Sequence, residues 1–186
     1  MPDEPTDTTA DSMRLLSSAR ERLLAGRDAL LPLLDSMSGA AAKWRPRPGA
    51  WSSLEIANHL ADEEREDFRA RLACTLDDPQ MPWAPIDPEG WVATRRYGER
   101  DMRESIDRFC SERDVSLRWL SELGDADLTL THVHPFAGQL RAGDLLVAWV
   151  AHDLFHVRQL VRLHYRYLGE SFPGFDPAYA GEWGER

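Results

Sequence analysis

Two histidines late in the chain have the spacing of a metal-binding pair. They are His152 and His156, in the stretch AHDLFHVRQL at residues 151–160. In an α-helix, four residues advance the chain by about 6 Å and turn it about 40° past a full turn, so both rings can converge on one ion. The alternative is that each is a partly buried histidine with a backbone or carboxylate partner. Both fall on a stripe predicted to face the core, where unpartnered imidazoles are costly.

A metal held inside a helical bundle needs a ligand from a second helix, and His59 is the best candidate for that ligand. It lies on the inward face of its own predicted helix. His132 and His134 compete with it, because both side chains of an extended HxH face one side. They precede a proline in a predicted loop, so we interpret them as surface or cavity-rim residues. His164 lies eight residues past His156, about 12 Å along a helix, which is too far for the same ion.

Three other polar residues could assist such a centre. Glu63, one turn beyond His59, could accept a hydrogen bond from a ligand or act as a general base; the alternative is a solvated glutamate. Arg113 interrupts an apolar stripe and could meet an anionic substrate group, or it could lie on the surface with its head in water. Gln159 lies near the histidine stripe and could line the cavity.

The apolar pattern predicts four long helices to position these residues, since apolar side chains recur three or four apart along each. The helices are predicted to begin near residues 11, 52, 99 and 142, and the last two to end near residues 123 and 167. Ser52 and Glu55 have the spacing of a capping box, and Pro32 predicts a bend or break. Segments rich in proline and glycine separate the helices, at residues 43–52, 77–98 and 125–140. Since no stretch alternates between apolar and polar residues, we predict an all-α, antiparallel four-helix bundle with long connecting loops.

Composition and charge limit the range of functions. The chain has 186 residues and a formal net charge of -10, so binding to nucleic acids or anionic membranes is not expected. No apolar run approaches the ~18–20 residues that span a bilayer. The two cysteines have no metal-type spacing, which favours the cytoplasm. We expect a disordered tail at residues 1–10, which is not a secretory signal, and one domain at residues 11–186.

Two longer stretches resemble the DinB-like (YfiT-like) superfamily of metal-dependent enzymes. They are WRPRPGAWSSLEIANHLADEE at residues 44–64 and FAGQLRAGDLLVAWVAHDLFHVRQL at residues 136–160. The first resembles the family's entry to its second helix, ending in a histidine, and the second its approach to the fourth helix and the HxxxH. The resemblance implies a four-helix bundle with His59, His152 and His156 as ligands of a divalent metal ion, zinc or nickel. Arg141 departs from the family's usual serine or threonine at the start of that helix.

The resemblance also implies classes of reaction. Members of the family include isomerases and S-transferases that use low-molecular-weight thiols, and others are described as hydrolases. Three neutral histidines leave an open coordination position, which is typical of a catalytic centre and fits either chemistry. We therefore expect a small-molecule substrate, with a low-molecular-weight thiol as one candidate, and family analogy favours a homodimer.

Two other functions stay open at this point. The bundle could bind a metal or small ligand without catalysis, as a stress-related module. The sequence from His152 to His156 also has the HExxH spacing of zincin proteases, with Asp153 in the position of the base. That protease would need a downstream ligand, for which Glu170 and Glu182 are the candidates.

Overall fold

The computed structural model describes residues 8–135 and 137–181, which contain seven helices and two short strands. The helices are α1 (Thr8–Asp35), α2 (Ala40–Lys43), α3 (Ser53–Asp62), α4 (Arg69–Asp77), α5 (Pro88–Thr94), α6 (Met102–Glu122) and α7 (Ala142–Ser171). The strands are β1 (Thr131–His134) and β2 (Gly138–Arg141). A π-helical segment, Glu63–Phe68, joins α3 to α4, and 3-10 turns lie at Tyr97–Glu99 and Pro177–Ala180.

Four long rods form the body of the protein, which confirms the predicted four-helix bundle. They are α1, the continuous rod from α3 through the π-helical segment to α4, α6 and α7. Helix α1 packs against α7 and α6, and α3 packs against α6. Within the described ranges, no helix combines the length and the apolar character that crossing a membrane requires.

The core of the bundle is split into two apolar clusters. One cluster is built around Leu34, Ile56, Phe109 and Leu160. The other is built around Leu23, Leu72, Leu120, Leu146 and Trp149. Each rod contributes to both clusters, and on three of the rods buried polar residues lie at or near the boundary between the two contributions. These residues are His59, Glu63, Glu64, Arg113, Asp153 and His156. The candidate site therefore belongs to a polar layer in the middle of the bundle.

Several helix boundaries differ from the prediction. Helix α1 begins at Thr8, inside the predicted tail, while residues 1–7 lie outside the described residues. It continues through Pro32 to Asp35, so the proline does not break it. Helix α7 continues past Gly169 to Ser171. Periodicity identifies the rods correctly, but it does not fix their ends to within a few residues.

The predicted connections contain more structure than expected. Within 77–98, Asp87 caps α5 by accepting a hydrogen bond from the Gly90 backbone N–H over 3.0 Å. The prediction that the chain has no strands was wrong, because β1 and β2 pair as an antiparallel hairpin. Gly138 supplies the positive φ of 74° at the hairpin turn. Strands of four residues are too short for alternation to be recognised in the sequence.

Candidate metal centre

The start of α3 is fixed by the predicted capping box, which the structure confirms. The Ser52 hydroxyl accepts from the Glu55 backbone N–H over 3.3 Å, and the Glu55 carboxylate accepts from the Ser52 backbone N–H over 2.8 Å. Arg45 donates to the same carboxylate over 3.1 Å. These contacts set where α3 begins, and hence which residues of α3 face the bundle interior. His59 lies two turns further on, on that inward face.

His59, His152 and His156 converge on one point between α3 and α7. The Nε2 atoms of His59 and His152 lie 3.3 Å apart, and those of His156 and His152 lie 3.0 Å apart. One ligand nitrogen from each of the three residues lies within 4.8 Å of the others. His59 and His156 are buried, with 5% and 7% of their surfaces exposed. Two helices thus bring three imidazole nitrogens together away from solvent.

The charge state of this triad and the two nitrogen spacings that involve His152 fit a metal ion. With metal–nitrogen bonds of about 2.0–2.1 Å, neighbouring nitrogens lie about 3.4 Å apart around a tetrahedral ion and about 3.0 Å apart around an octahedral one. Burial, followed by the charge of His156, lowers the pKa of His59 to about 3. Burial and the two neighbouring histidines lower the pKa of His152 to about 2. Burial lowers the pKa of His156 to about 4, opposed by a hydrogen bond with Gln159. All three rings are neutral near pH 7, which is the form that binds metals.

Aromatic side chains enclose the triad on both sides. The ring centroid of Trp51 lies 4.7 Å from that of His59, and the ring centroid of Phe68 lies 5.0 Å from that of His152. Phe68 also stacks on Trp149, at 5.7 Å. These rings restrict how the imidazoles can turn and lower the local dielectric around them.

The π-helical segment begins four residues after His59 and rearranges the acidic run that follows. Asp62, Glu63 and Glu64 are all buried, at 0%, 5% and 2% exposed. They end an unbroken run of buried residues that begins at Ser52, so this whole stretch of the rod is covered by its neighbours. Glu63 and Glu64 are the first residues of the π-helical segment, and π-bulges are frequent at functional sites.

Glu63 lies behind His59, on the opposite side of the ring from the other two ligands. Its Oε1 is 3.9 Å from the Nδ1 atom of His59. Neither atom has a hydrogen-bond partner within the described part of the chain. Burial, followed by the proximity of Asp67, raises the pKa of Glu63 to about 9. Glu63 is therefore placed to accept a hydrogen bond from the Nδ1–H of His59. That hydrogen bond would leave the lone pair of His59 Nε2 available to a metal.

Arg113 lies in the interior and does not reach an open cavity. Its Nε donates to Glu64 over 2.8 Å, Nη1 donates to the Leu23 carbonyl and to Asp153 over 2.6 Å, and Nη2 donates to Asp153 over 2.8 Å. The second oxygen of Glu64 accepts from the Trp149 indole over 3.0 Å. Arg113 is 1% exposed. Both expectations, a substrate contact and a surface residue, are therefore corrected: Arg113 links three rods through buried ion pairs.

The same contacts remove the basis for a zincin-type protease. Asp153, the residue that would act as general base, is 1% exposed, and its two oxygens accept from Arg113. It faces α1, where a Cβ added at Gly26 would lie 2.2 Å from Asp153 Oδ2. Of the downstream ligands considered, Glu170 is exposed and Glu182 lies outside the described residues. The second ligand helix of the cluster is α3, as a bundle site requires.

Asp62 is a further buried acidic residue, which the sequence analysis did not identify. Asp62 accepts from the Tyr97 hydroxyl and pairs with Arg95 over 2.7 Å and with Arg108 over 2.9 Å. Arg95 also forms a bidentate pair with Glu66, at 2.9 and 2.7 Å. These contacts tie the 77–98 connection to the π-helical segment. The partners lie far apart in sequence, and no short motif marks them.

The remaining polar candidates lie at the edge of the site or away from it. Gln159 is half-buried, one turn beyond His156, and its side chain hydrogen-bonds with that histidine. His132 stacks on Trp83 at 4.1 Å, and its Nδ1 lies 3.0 Å from the Pro79 carbonyl, so it belongs to the hairpin. His164 contacts the Leu33 carbonyl at 2.7 Å. His132 and His164, which the sequence analysis did not assign as metal ligands, therefore have other partners.

Comparisons with known proteins agree with the predicted resemblance. Residues 10–160 match the DinB superfamily. Among solved structures, the chain is similar to YfiT from Bacillus subtilis, described as a probable metal-dependent hydrolase with an unusual four-helix bundle topology. The TM-score is 0.70 at 17% sequence identity, over 89% of this chain and 91% of that one, a likeness that establishes the fold. No curated protein matches the chain in sequence.

Proposed function

This chain belongs to the DinB superfamily, and we propose that it is an enzyme that depends on one divalent ion bound by His59, His152 and His156. The observation that carries the proposal is the convergence of three imidazole nitrogens from α3 and α7, two of them from buried histidines and one from the half-buried His152. Zinc and nickel are the metals we propose, because imidazole suits both. Three protein ligands leave at least one coordination position open, as catalytic sites do.

Hydrolysis of a small molecule is the reaction we propose first. A divalent ion in such a site polarises a carbonyl oxygen and lowers the pKa of bound water to roughly 7. Because all three ligands are neutral, the protein does not reduce the ion's charge. Likeness of fold to a protein described as a probable metal-dependent hydrolase supports this choice.

The surrounding residues have separate tasks in this proposal. Glu63 orients His59 from behind, through its Nδ1 edge. Arg113 and Asp153 fix α7 against α6, so that His152 presents its Nε2 atom to the site. Trp51 and Phe68 exclude water from the sides of the rings. None of these five residues contacts the reacting atoms, and we regard all of them as positioning residues.

The second candidate is an S-transferase or isomerase that uses a low-molecular-weight thiol. The supporting observation concerns the cluster of potential metal ligands. Within the part of the chain that the structure describes, this cluster consists of histidines and contains no cysteine. A thiol would therefore come from a co-substrate. An ion with neutral ligands stabilises a thiolate for the same reason that it stabilises hydroxide.

One experiment separates these functions. The metal-loaded protein and its His59→Ala variant are assayed on a panel of esters and amides, with and without low-molecular-weight thiols. Turnover without thiol that is lost in the variant supports a hydrolase, and turnover that requires the thiol supports a transferase. Failure to bind any divalent metal would overturn the proposal. Metal binding without turnover would instead favour the non-catalytic ligand-binding module.

A further inference from the structure

A cavity rich in arginine lies directly beside the proposed metal centre. Its volume is about 280 Å³, and its lining includes Arg47, Trp51, Gln159, Arg162 and Arg166. Gln159, Arg162 and Arg166 lie on α7, while Arg47 and Trp51 lie on the segment that leads into α3. The cavity is thus built from the same two parts of the fold that supply the three histidines.

Two of the lining residues connect the cavity to the metal ligands. Trp51 forms one wall, and its ring lies 4.7 Å from the ring of His59. Gln159 forms another wall, one helical turn from His156, and its side chain interacts with that histidine and raises its pKa. A molecule in the cavity would therefore be separated from the triad only by side chains that contact the triad itself.

The charge of this cavity contrasts with the charge of the chain. The protein carries a net charge of -10, yet three arginines line the cavity and no acidic residue is among its described lining residues. The cavity on the other side of Trp51 is different, because Glu55, Glu89 and Glu99 accompany its arginines. Positive charge is thus concentrated on one side of the tryptophan.

We propose that this cavity binds an anionic group, a carboxylate or phosphate, of the substrate that reacts at the metal centre. Guanidinium groups present planar forks of donors that match both oxyanions. Arg162 and Arg166 lie four residues apart, so they project from the same face of α7. The anionic end of the substrate would lie among the arginines, and its reacting end would reach the triad past Trp51 and Gln159, which must turn aside to admit it. This inference rests on the proposed metal-dependent function and narrows its substrate class.

The test compares charged and neutral probes that share one metal-binding group. Calorimetry measures the binding of ω-mercaptoalkanoic acids of increasing chain length, and of their primary amides, to the metal-loaded protein. Thiolate binds the metal in both series, so the ratio of the two affinities reports the contribution of the carboxylate. At the best chain length we expect the acid to bind about tenfold more tightly than the amide. Arg162→Gln or Arg166→Gln should bring the ratio close to one, while amide affinity and metal content stay unchanged.

Arg96→Gln is the matched control, because Arg96 lines the cavity on the other side of Trp51. It should keep the wild-type ratio of acid to amide affinity. Equal affinity of acids and amides at every chain length would overturn the inference. A preference that survives in both the Arg162→Gln and the Arg166→Gln variants would do the same.

A second measurement keeps failure of this inference distinct from failure of the metal site. Glutarate and inorganic phosphate are titrated into the metal-free protein, and into the two arginine variants after circular dichroism has shown that they are folded. Binding to the wild type that is lost in both variants supports an anion subsite, even if the chain binds no metal. Absence of binding, or equal binding to variants and wild type, contradicts it. The relative affinities of the two probes distinguish a carboxylate from a phosphate subsite.

Discussion

Arg113 and Asp153 form a bidentate ion pair in the interior of the bundle, with N–O distances of 2.6 and 2.8 Å. Asp153 follows the metal-ligand candidate His152 directly in sequence. The pair therefore fixes the rotation of α7 at the turn that carries two of the three histidines. Glu64 of the π-helical segment binds the same guanidinium over 2.8 Å, so that segment, α6 and α7 are linked at one point.

Replacing Arg113 should destabilise the protein strongly. In Arg113→Met the carboxylates of Glu64 and Asp153 stay buried and lose their cation, which costs about 3–5 kcal/mol of unfolding free energy. Chemical denaturation measures this change. Arg103→Met is the control on the same helix, since Arg103 is 72% exposed and pairs with an exposed aspartate. It should cost less than about 1 kcal/mol. Equal losses in the two variants would show that the buried network does not stabilise the fold.

Gly26→Ala should destabilise α1, although this substitution usually stabilises a helix. Alanine in a helix interior is ordinarily favoured over glycine by about 0.5–1 kcal/mol. Here the new Cβ would lie 2.2 Å from Asp153 Oδ2, so the carboxylate must leave its place opposite Arg113. We expect a net loss of about 1–3 kcal/mol.

Gly169→Ala provides the comparison for that prediction. Gly169 lies in α7, where a Cβ would meet nothing within 4 Å. This variant should gain stability by about 0.5–1 kcal/mol. Thermal unfolding of the Gly26→Ala and Gly169→Ala proteins measures both effects. A stabilised Gly26→Ala protein would contradict the packing of Asp153 against α1.

Glu63 should influence metal affinity through His59. Glu63→Met removes the acceptor behind the ring and should weaken metal binding about 10–100-fold. Glu63→Gln keeps an oxygen in the same place and should retain most of the affinity. Competition with a chelator measures both, with the exposed Glu170→Met as the control. If the methionine and glutamine variants bind metal equally, Glu63 does not orient His59.

The ion pair between Glu66 and Arg95 should make the unfolding free energy depend on pH in a defined way. Hydrogen bonds from Arg95, opposed by burial, lower the pKa of Glu66 from 4.5 to about 2. A carboxylate whose pKa is lower in the folded than in the unfolded state stabilises the fold at pH values above its unfolded-state pKa. That contribution is lost as the pH falls towards the folded-state pKa. The difference in unfolding free energy between the wild type and Glu66→Gln should therefore be largest near about pH 6 and shrink below about pH 4.5. In an Arg95→Gln background the pH dependence should become smaller, with a remainder due to Arg65, which also donates to Glu66; a difference that grows at low pH would refute the pairing.

The sequence was sufficient to predict the rods and the helix faces that bring His59, His152 and His156 together, because both depend on local periodicity. The spacing of His152 and His156 places them on one helix face, and the capping box at Ser52 fixes the start of α3. The network around Arg113 could not be predicted in the same way. Its partners lie 40 and 49 residues away in sequence, and a single charged residue on an apolar stripe does not show what it meets.

The orientation of the acidic residues after His59 was also beyond sequence reasoning. Three successive acidic residues are typical of a solvated face, whereas Asp62, Glu63 and Glu64 are buried at the end of a run of buried residues that begins at Ser52. The π-helical segment Glu63–Phe68 has no recognisable motif. The expected homodimer, the cytoplasmic location and the identity of the metal stay predictions.

Metal content is the most direct test of the account. Purified protein, loaded with zinc or nickel and freed of excess ion, should contain one ion per chain by elemental analysis. His59→Ala, His152→Ala and His156→Ala should each lose it, while His164→Ala, whose side chain contacts the Leu33 carbonyl, should keep it. A wild-type protein that binds no divalent ion, or a folded His59→Ala variant that keeps a full equivalent, would contradict a centre shared between α3 and α7.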